Sequence, residues 1–328
     1  MSFQEAVWSR PLTSIRTGTP RQLAGRIIAA VLIAVFIFGA LTTDSFTSIQ
    51  NVRAILAATG FVGIVAVGMT VIMISGNLFS LSLGTTVSIG AMTFLWALKL
   101  GVVPAILISL GIGTAICAMQ GVVIGALGAN PIIITIGAGA LQVGAAAWLT
   151  DSSSIYPPAG DKSFDFMTST PLGIAFPVYV LVALVIVGEL FMRRTRFGKE
   201  VYLVGENRQA ATAAGLRVPM IVAGSFAIAG GCAAIAGMLL GAFNQNATLL
   251  VGEGFTFDAI AAALVGGSAV TGGRGSVGRA LVGALVIAAT SDMLLLRGYS
   301  TGVQLMVKGL IVFFVVVIAQ LNARQDTK

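Results

Sequence analysis

Few side chains in this 328-residue sequence could carry covalent chemistry. There is no histidine, which removes Ser-His-Asp triads, His-x-x-Glu-His zinc sites and histidine proton relays together. The two cysteines, Cys117 and Cys232, each lie inside an apolar run. Two isolated thiols cannot form a four-cysteine metal site, so they read as small core residues. The nearest fragment to a nucleotide-binding loop, Gly198-Lys199-Glu200, lacks both the leading glycine and the hydroxyl. If ATP is used, another chain binds it, and no cofactor or metal is expected here.

What remains is a set of polar and glycine-rich segments. Residues 193–220 form the largest polar stretch between apolar runs. Within it, Asn207–Leu216 is alanine-rich and favours a helix. Asn207 is placed to cap its start, and Gly215 could end it. Such a short, smooth helix suits either insertion into a cleft on a partner or the mere joining of two spans. In 258–285, Gly266-Gly267 and Gly272-Gly273-Arg274-Gly275 bracket a tight turn. A phosphate nest is conceivable there, but no nucleotide motif surrounds it, and a compact partner-facing turn fits better. In 75–84 (SGNLFSLSLG), Ser75, Asn77, Ser80 and Ser82 interrupt two apolar runs; they either line a pore or form a short loop. The segment 151–175, with Asp151, Asp161 and Asp165, is long enough to dock an external protein or to be a solvated loop.

The elements that position these segments follow from composition. The chain is 57% hydrophobic and 9% charged, against roughly 25% charged in soluble domains. It is an all-α integral membrane protein. A spanning helix needs roughly 20 apolar residues. Runs at 24–43, 54–75, 80–98, 102–127, 131–150, 176–192, 221–243, 257–272, 277–296 and 300–320 predict ten crossings. The eighth, short and glycine-rich, is open to being a tilted span, a broken helix or a re-entrant hairpin. A polar, basic tail (1–23) precedes a single transmembrane domain (24–320), which carries the loop 193–220, and a second tail (321–328) follows.

Charge sets the expected orientation. With both termini in the cytoplasm, fourteen of the nineteen Lys and Arg residues fall on cytoplasmic pieces, a strong positive-inside bias. The net charge of +7 then reflects topology and contact with anionic lipid, not nucleic acid. Runs 2–5 and 7–10 begin on opposite sides, which suggests an inverted repeat. Gly121-x-x-x-Gly125 and Gly237-x-x-x-Gly241 read as helix-packing contacts. Ionisable residues within the spans, Glu189, Asp292 and Lys308, lie near predicted ends, and their scarcity argues against ion coupling.

The chain resembles the permease subunits of bacterial ABC sugar importers of the ribose/galactose/xylose type, from about residue 25 to 320. Arg196-x-Gly198, Gly205-x-Asn207-x-x-Ala210-Ala211 and Gly215 look like the family's ATPase-docking loop. Asp258-Ala259-Ile260-Ala261-Ala262, Gly266-Gly267 and Gly272-Gly273-Arg274-Gly275-Ser276 look like its second signature, and Ala66-Val67-Gly68-Met69-Thr70 is a weaker match. There are two departures. The family usually carries an acidic residue where this chain reads SGNLFSLSLG, and Gly278-Arg279 stands where the family tends to have a bulky residue and a glycine.

The resemblance implies ten helices and pairing with a second permease copy or paralogue. It implies a cytoplasmic ATPase subunit that binds the ATP, and delivery of a monosaccharide or polyol by a periplasmic solute-binding protein. The setting is the bacterial inner membrane. Gly205, Glu206, Asn207, Ala210, Ala211, Gly215 and Arg274 are expected at the ATPase contact. Asn77, Ser80, Ser82 and Gln142 are expected along the substrate path. The rival reading is an ion-coupled secondary transporter of a small solute; a membrane-embedded enzyme is disfavoured by the absence of histidine and of clustered acids.

Overall fold

The structure is a computed structural model that describes residues 37–39, 41, 43 and 45–325. Most of the first predicted run and the tail 1–23 lie outside them. Among the described residues there are eleven α-helices and one isolated antiparallel bridge, Ile155 to Ala247. The helices are α1 (Ile49–Ile74), α2 (Leu83–Ala97), α3 (Val102–Leu127), α4 (Pro131–Thr150), α5 (Phe176–Arg194), α6 (Arg196–Glu206), α7 (Arg208–Ala213), α8 (Val218–Asn244), α9 (Phe255–Val265), α10 (Val277–Leu296) and α11 (Thr301–Gln325).

Among the described residues, seven helices are long and apolar enough to cross a membrane: α1, α2 with its 3₁₀ extension to Leu100, α3, α4, α5, α8 and α10. The predicted runs 102–127 and 131–150 coincide with α3 and α4. The eighth run behaves differently. Its helix, α9, has 11 residues, about 16 Å at 1.5 Å per residue, against a hydrocarbon core of roughly 30 Å. A non-helical arm, 246–254, precedes it. The glycines that left this run ambiguous end the helix early: it stops at Val265, Gly266 caps it, and Gly267 and Gly272 take φ +80° and +86°. Gly254, with φ +87°, stands before its first turn. α2 is built the same way, a helix after a non-helical arm at 77–82. The tenth run continues as helix through Gln325.

The bundle is centred on α1 and α8, buried over most of their length, whereas α4 and α5 are only 17% buried in their most apolar stretch. The packing repeats. α8 packs on α1, α2 and α3, and α1 packs on α8, α9 and α10; α2 lies against α3 as α9 lies against α10. The outer helices α4 and α11 touch mainly α2 and α9 respectively. The two arms meet reciprocally. Gly84 N–H donates to Thr256 Oγ1 (2.8 Å) and Gly252 N–H to Ser88 Oγ (2.9 Å), so each broken helix supplies a hydroxyl, four residues on, to the other's backbone. The Gly-x-x-x-Gly pairs are packing contacts, with Gly125 against Pro219 and Gly237 against Ala91.

The segment 151–175 is folded rather than merely solvated. Phe164 is fully buried and meets Phe94 edge-on, with ring centroids 6.3 Å apart. Met167 is buried beside it, and Ile155 pairs with Ala247. Both cysteines are free and buried, as their apolar settings imply.

Candidate functional site

Two groupings of residues stand out, one at an end of the bundle and one within it. The first involves α6 and α7. The expected helix within 207–216 is present as α7, and a second helix, α6, precedes it, because 196–206 is itself amphipathic and buries Gly198, Val201, Val204 and Gly205. Thr195 caps α6 by accepting from Gly198 N–H (3.1 Å). Asn207 caps α7, with Oδ1 accepting from Ala210 N–H (2.9 Å). At the other end Gly215 takes φ +81°. Leu216 N–H donates to Ala211 O and Gly215 N–H to Thr212 O, both 3.0 Å. This closure needs a left-handed residue, which glycine supplies without strain. Arg208 then donates to the Gly125 carbonyl (2.8 Å) at the C-terminal end of α3.

The end of α6 packs into a knot of backbone. Gly205 abuts Ile74 and Gly76 at the end of α1, and Gly272 and Gly273 in the turn between α9 and α10. A Cβ on Gly205 would overlap the Ile74 carbonyl oxygen and stand 2.6 Å from Gly273 N. That same carbonyl accepts from Gly273 N–H (3.0 Å), and Tyr202 donates its hydroxyl to Gly275 O (3.1 Å). The sequence-predicted docking residues are thus brought together. Glu206, Asn207, Ala210, Gly215 and Arg274 are exposed at this end, while Gly205 and Ala211 are buried and support them. A groove of about 320 Å³ beside them is lined by Phe197, Glu200, Leu216, Arg217 and Met220. Glu189 anchors the neighbouring turn. Its carboxylate accepts from Ser276 Oγ (3.1 Å), Gly278 N–H (3.0 Å) and Arg193 Nε (2.6 Å), a negative charge at the N-terminus of α10.

The second grouping is a buried polar seam between the 77–82 arm, α2, α3 and α4. Ser82 Oγ bonds Ser80 Oγ (3.1 Å) and donates to Gln120 Oε1 (2.7 Å). Thr85 and Thr86 hydroxyls both contact Gln142 Oε1 at 3.0 Å. Leu81 N–H donates to Thr135 Oγ1 (3.0 Å). Three of the four predicted path residues, Ser80, Ser82 and Gln142, therefore come together. Asn77 does not; it donates to Ser75 Oγ (2.8 Å) next to Gly76. Gln120, Thr85, Thr86 and Thr135 are members that the sequence reading passed over. A signal for α4 was available: Thr135, Gly139 and Gln142 recur at helical spacing and so share one face.

Ionisable side chains inside the bundle have partners. Asp258 in α9 pairs with Lys308 in α11 (2.8 Å), and Asp292 Oδ2 accepts from Asn51 Nδ2 (2.7 Å). Among the described residues no group of three or more Cys, Asp or Glu residues could hold a metal.

Comparison with known proteins adds an independent line. The family model described as "Branched-chain amino acid transport system / permease component" matches residues 51–316. The D-allose transport system permease protein AlsC of Escherichia coli K12 is 29% identical over 304 residues, covering 90% of this chain and 91% of that protein. The ribose import permease protein RbsC of Haemophilus influenzae is 30% identical over 297 residues (89% and 91%), and RbsC of Escherichia coli K12 is 28% identical over 296 residues (89% and 92%). No solved structure matches the chain significantly.

Proposed function

The chain belongs to the family of permease components described for the branched-chain amino acid transport system, and from that premise we propose that it is the membrane-spanning subunit of an ATP-driven importer of a monosaccharide or related polyol. One observation carries the reading: relatives named as ribose and allose permeases align over about nine-tenths of both chains. It favours this function over an ion-coupled carrier. The setting is the bacterial inner membrane, with ten crossings, both termini cytoplasmic, and an inverted relation between α1–α4 and α8–α11. The reciprocal packing of those two sets supports that relation.

On this reading the exposed end formed by Glu206, Asn207, Ala210, Gly215 and Arg274 meets a cytoplasmic ATPase subunit, which binds and hydrolyses ATP. A second permease copy or paralogue completes the path, and a periplasmic solute-binding protein delivers the sugar. The arrangement suits such work. α7 is short, capped at both ends and tied to α3 through Arg208. A push on it reaches α6, and through the Gly205 knot reaches α1 and the turn before α10. No residue of this chain performs covalent chemistry; its part is to hold two arrangements of packed helices and be switched between them.

The test is Ala210→Arg, a change on an exposed face that leaves the Asn207 cap intact. The expected result is normal membrane insertion, loss of ATPase co-purification, and loss of sugar uptake by the complete system. Normal uptake with the ATPase still bound refutes the docking assignment.

A further inference from the structure

The polar seam is an unusual way to hold a helix in a membrane bundle. α4 fully buries only Thr135, Gly139 and Gln142, one stripe at positions i, i+4 and i+7. Its large apolar residues, Ile133, Ile136, Leu141, Trp148 and Leu149, are exposed. Of its apolar side chains, Ile134 and Ala146 pack against the core and are only partly buried. Two of the residues it buries, Thr135 and Gln142, are joined to its neighbours by hydrogen bonds, and these are incomplete. Among the described residues, Nε2 of Gln120 and Nε2 of Gln142 are sealed from solvent without a partner, although the side chains are 5% and 6% exposed. A buried amide donor left unpaired is penalised relative to the same donor in water. A contact whose polar groups are better satisfied when wet is suited to opening. α11, the counterpart of α4 in the packing pattern, is held differently, by the partly buried Lys308–Asp258 ion pair.

We infer that α4 parts from the rest of the bundle when the path opens, and that the exposed seam, centred on Gln120 and Gln142, binds the hydroxyl groups of the solute in transit. This rests on the reading of the chain as a sugar importer's membrane subunit. The chemistry of the seam selects its ligand. Ser80, Ser82, Thr85, Thr86 and Thr135 offer hydroxyls that both donate and accept. Each glutamine amide adds a carbonyl acceptor and two N–H donors. The seam itself contains no charged side chain. A neutral polyhydroxylated solute can pair with every group; an amino acid or a phosphorylated sugar would leave its charge uncompensated.

The protein carries its own reporter. Cys117 is fully buried, with Sγ 3.6 Å from Thr86 Oγ1, so opening the seam wets it. The experiment uses the complete transporter in proteoliposomes with Cys232→Ala, which leaves Cys117 as the permease's one thiol. Aminoethyl methanethiosulfonate is the probe, and mass spectrometry of the permease is the readout. The expected result is at least tenfold faster modification of Cys117 during ATP turnover with binding protein and sugar than in the resting state. Cys117 remaining unreactive while uptake proceeds overturns the inference. Absence of ATP-dependent uptake of any pentose or hexose overturns the importer reading instead. In parallel, Gln120→Met and Gln142→Met remove the unpaired donors. Ser82, Thr85 and Thr86 keep their bonds to Ser80 Oγ and the Ser82 carbonyl, so the expected result is a nearly unchanged melting temperature with sugar uptake reduced at least tenfold and ATPase assembly unchanged. Lower melting temperature with a parallel loss of uptake marks the glutamines as structural and refutes their role in binding.

Discussion

Gly205→Ala sets two well-known effects against each other at one position. Gly205 is in the last turn of α6, and alanine in place of glycine within a helix stabilises by about 1 kcal/mol. The knot opposes this. A Cβ there overlaps the Ile74 carbonyl and crowds Gly273 N, and both atoms are backbone, so no side chain can swing aside. Relieving the overlap displaces α6 from α1 or lengthens the Gly273–Ile74 hydrogen bond of 3.0 Å. Overpacking of this kind costs about 1–3 kcal/mol, and weakening the hydrogen bond adds about 1 kcal/mol. The net expectation is a loss of about 1–3 kcal/mol. Gly137 in α4 is the matched control, because a Cβ there meets nothing within 4 Å; Gly137→Ala should be neutral or slightly stabilising. The assay is thermal unfolding of each purified variant in nanodiscs, alongside ATP-driven uptake by the assembled system. Gly205→Ala melting at or above the wild type would refute the close approach on which the coupling route depends.

Two further outcomes follow from single contacts. Lys308→Met leaves the partly buried Asp258 carboxylate without its partner, which is expected to cost about 1–3 kcal/mol; the exchange Asp258→Lys with Lys308→Asp should recover part of that stability in the same melting assay. Asn207→Ala removes the α7 cap and should weaken that helix by about 1 kcal/mol, seen as faster amide hydrogen exchange over 208–213 with exchange in α1 and α8 unchanged.

Local signals made much of this architecture legible. Two uninterrupted apolar runs located α3 and α4 to the residue, and the Asn207 and Gly215 signals correctly bounded α7. α6 was not legible, because its apolar stripe is only Val201 and Val204 within a polar segment, and a short stripe resembles a linker. α9 was hidden for another reason: apolar composition is the same whether a crossing is one straight helix or an arm followed by a shorter helix. The pairing of Asp258 with Lys308 links positions fifty residues apart, and that of Ser82 with Gln120 links positions 38 apart. Such contacts depend on which faces meet, and composition does not specify that.

The reciprocal hydrogen bonds between the α2 and α9 units bear on how the protein is made. Gly84 N–H waits for a hydroxyl 172 residues later in the chain, and Ser88 waits for a backbone group 164 residues later. At 5–20 residues per second, translation separates the partners by roughly 10–30 s. During that time the Gly84 N–H, in the first turn of α2, lacks its partner, and an unsatisfied backbone group in lipid costs several kcal/mol. The nascent first half must therefore remain within a hydrated insertion channel, or be shielded by a chaperone, until the second arm arrives. A fragment ending before residue 252 should be recognised by the cell as an unfinished membrane protein and degraded.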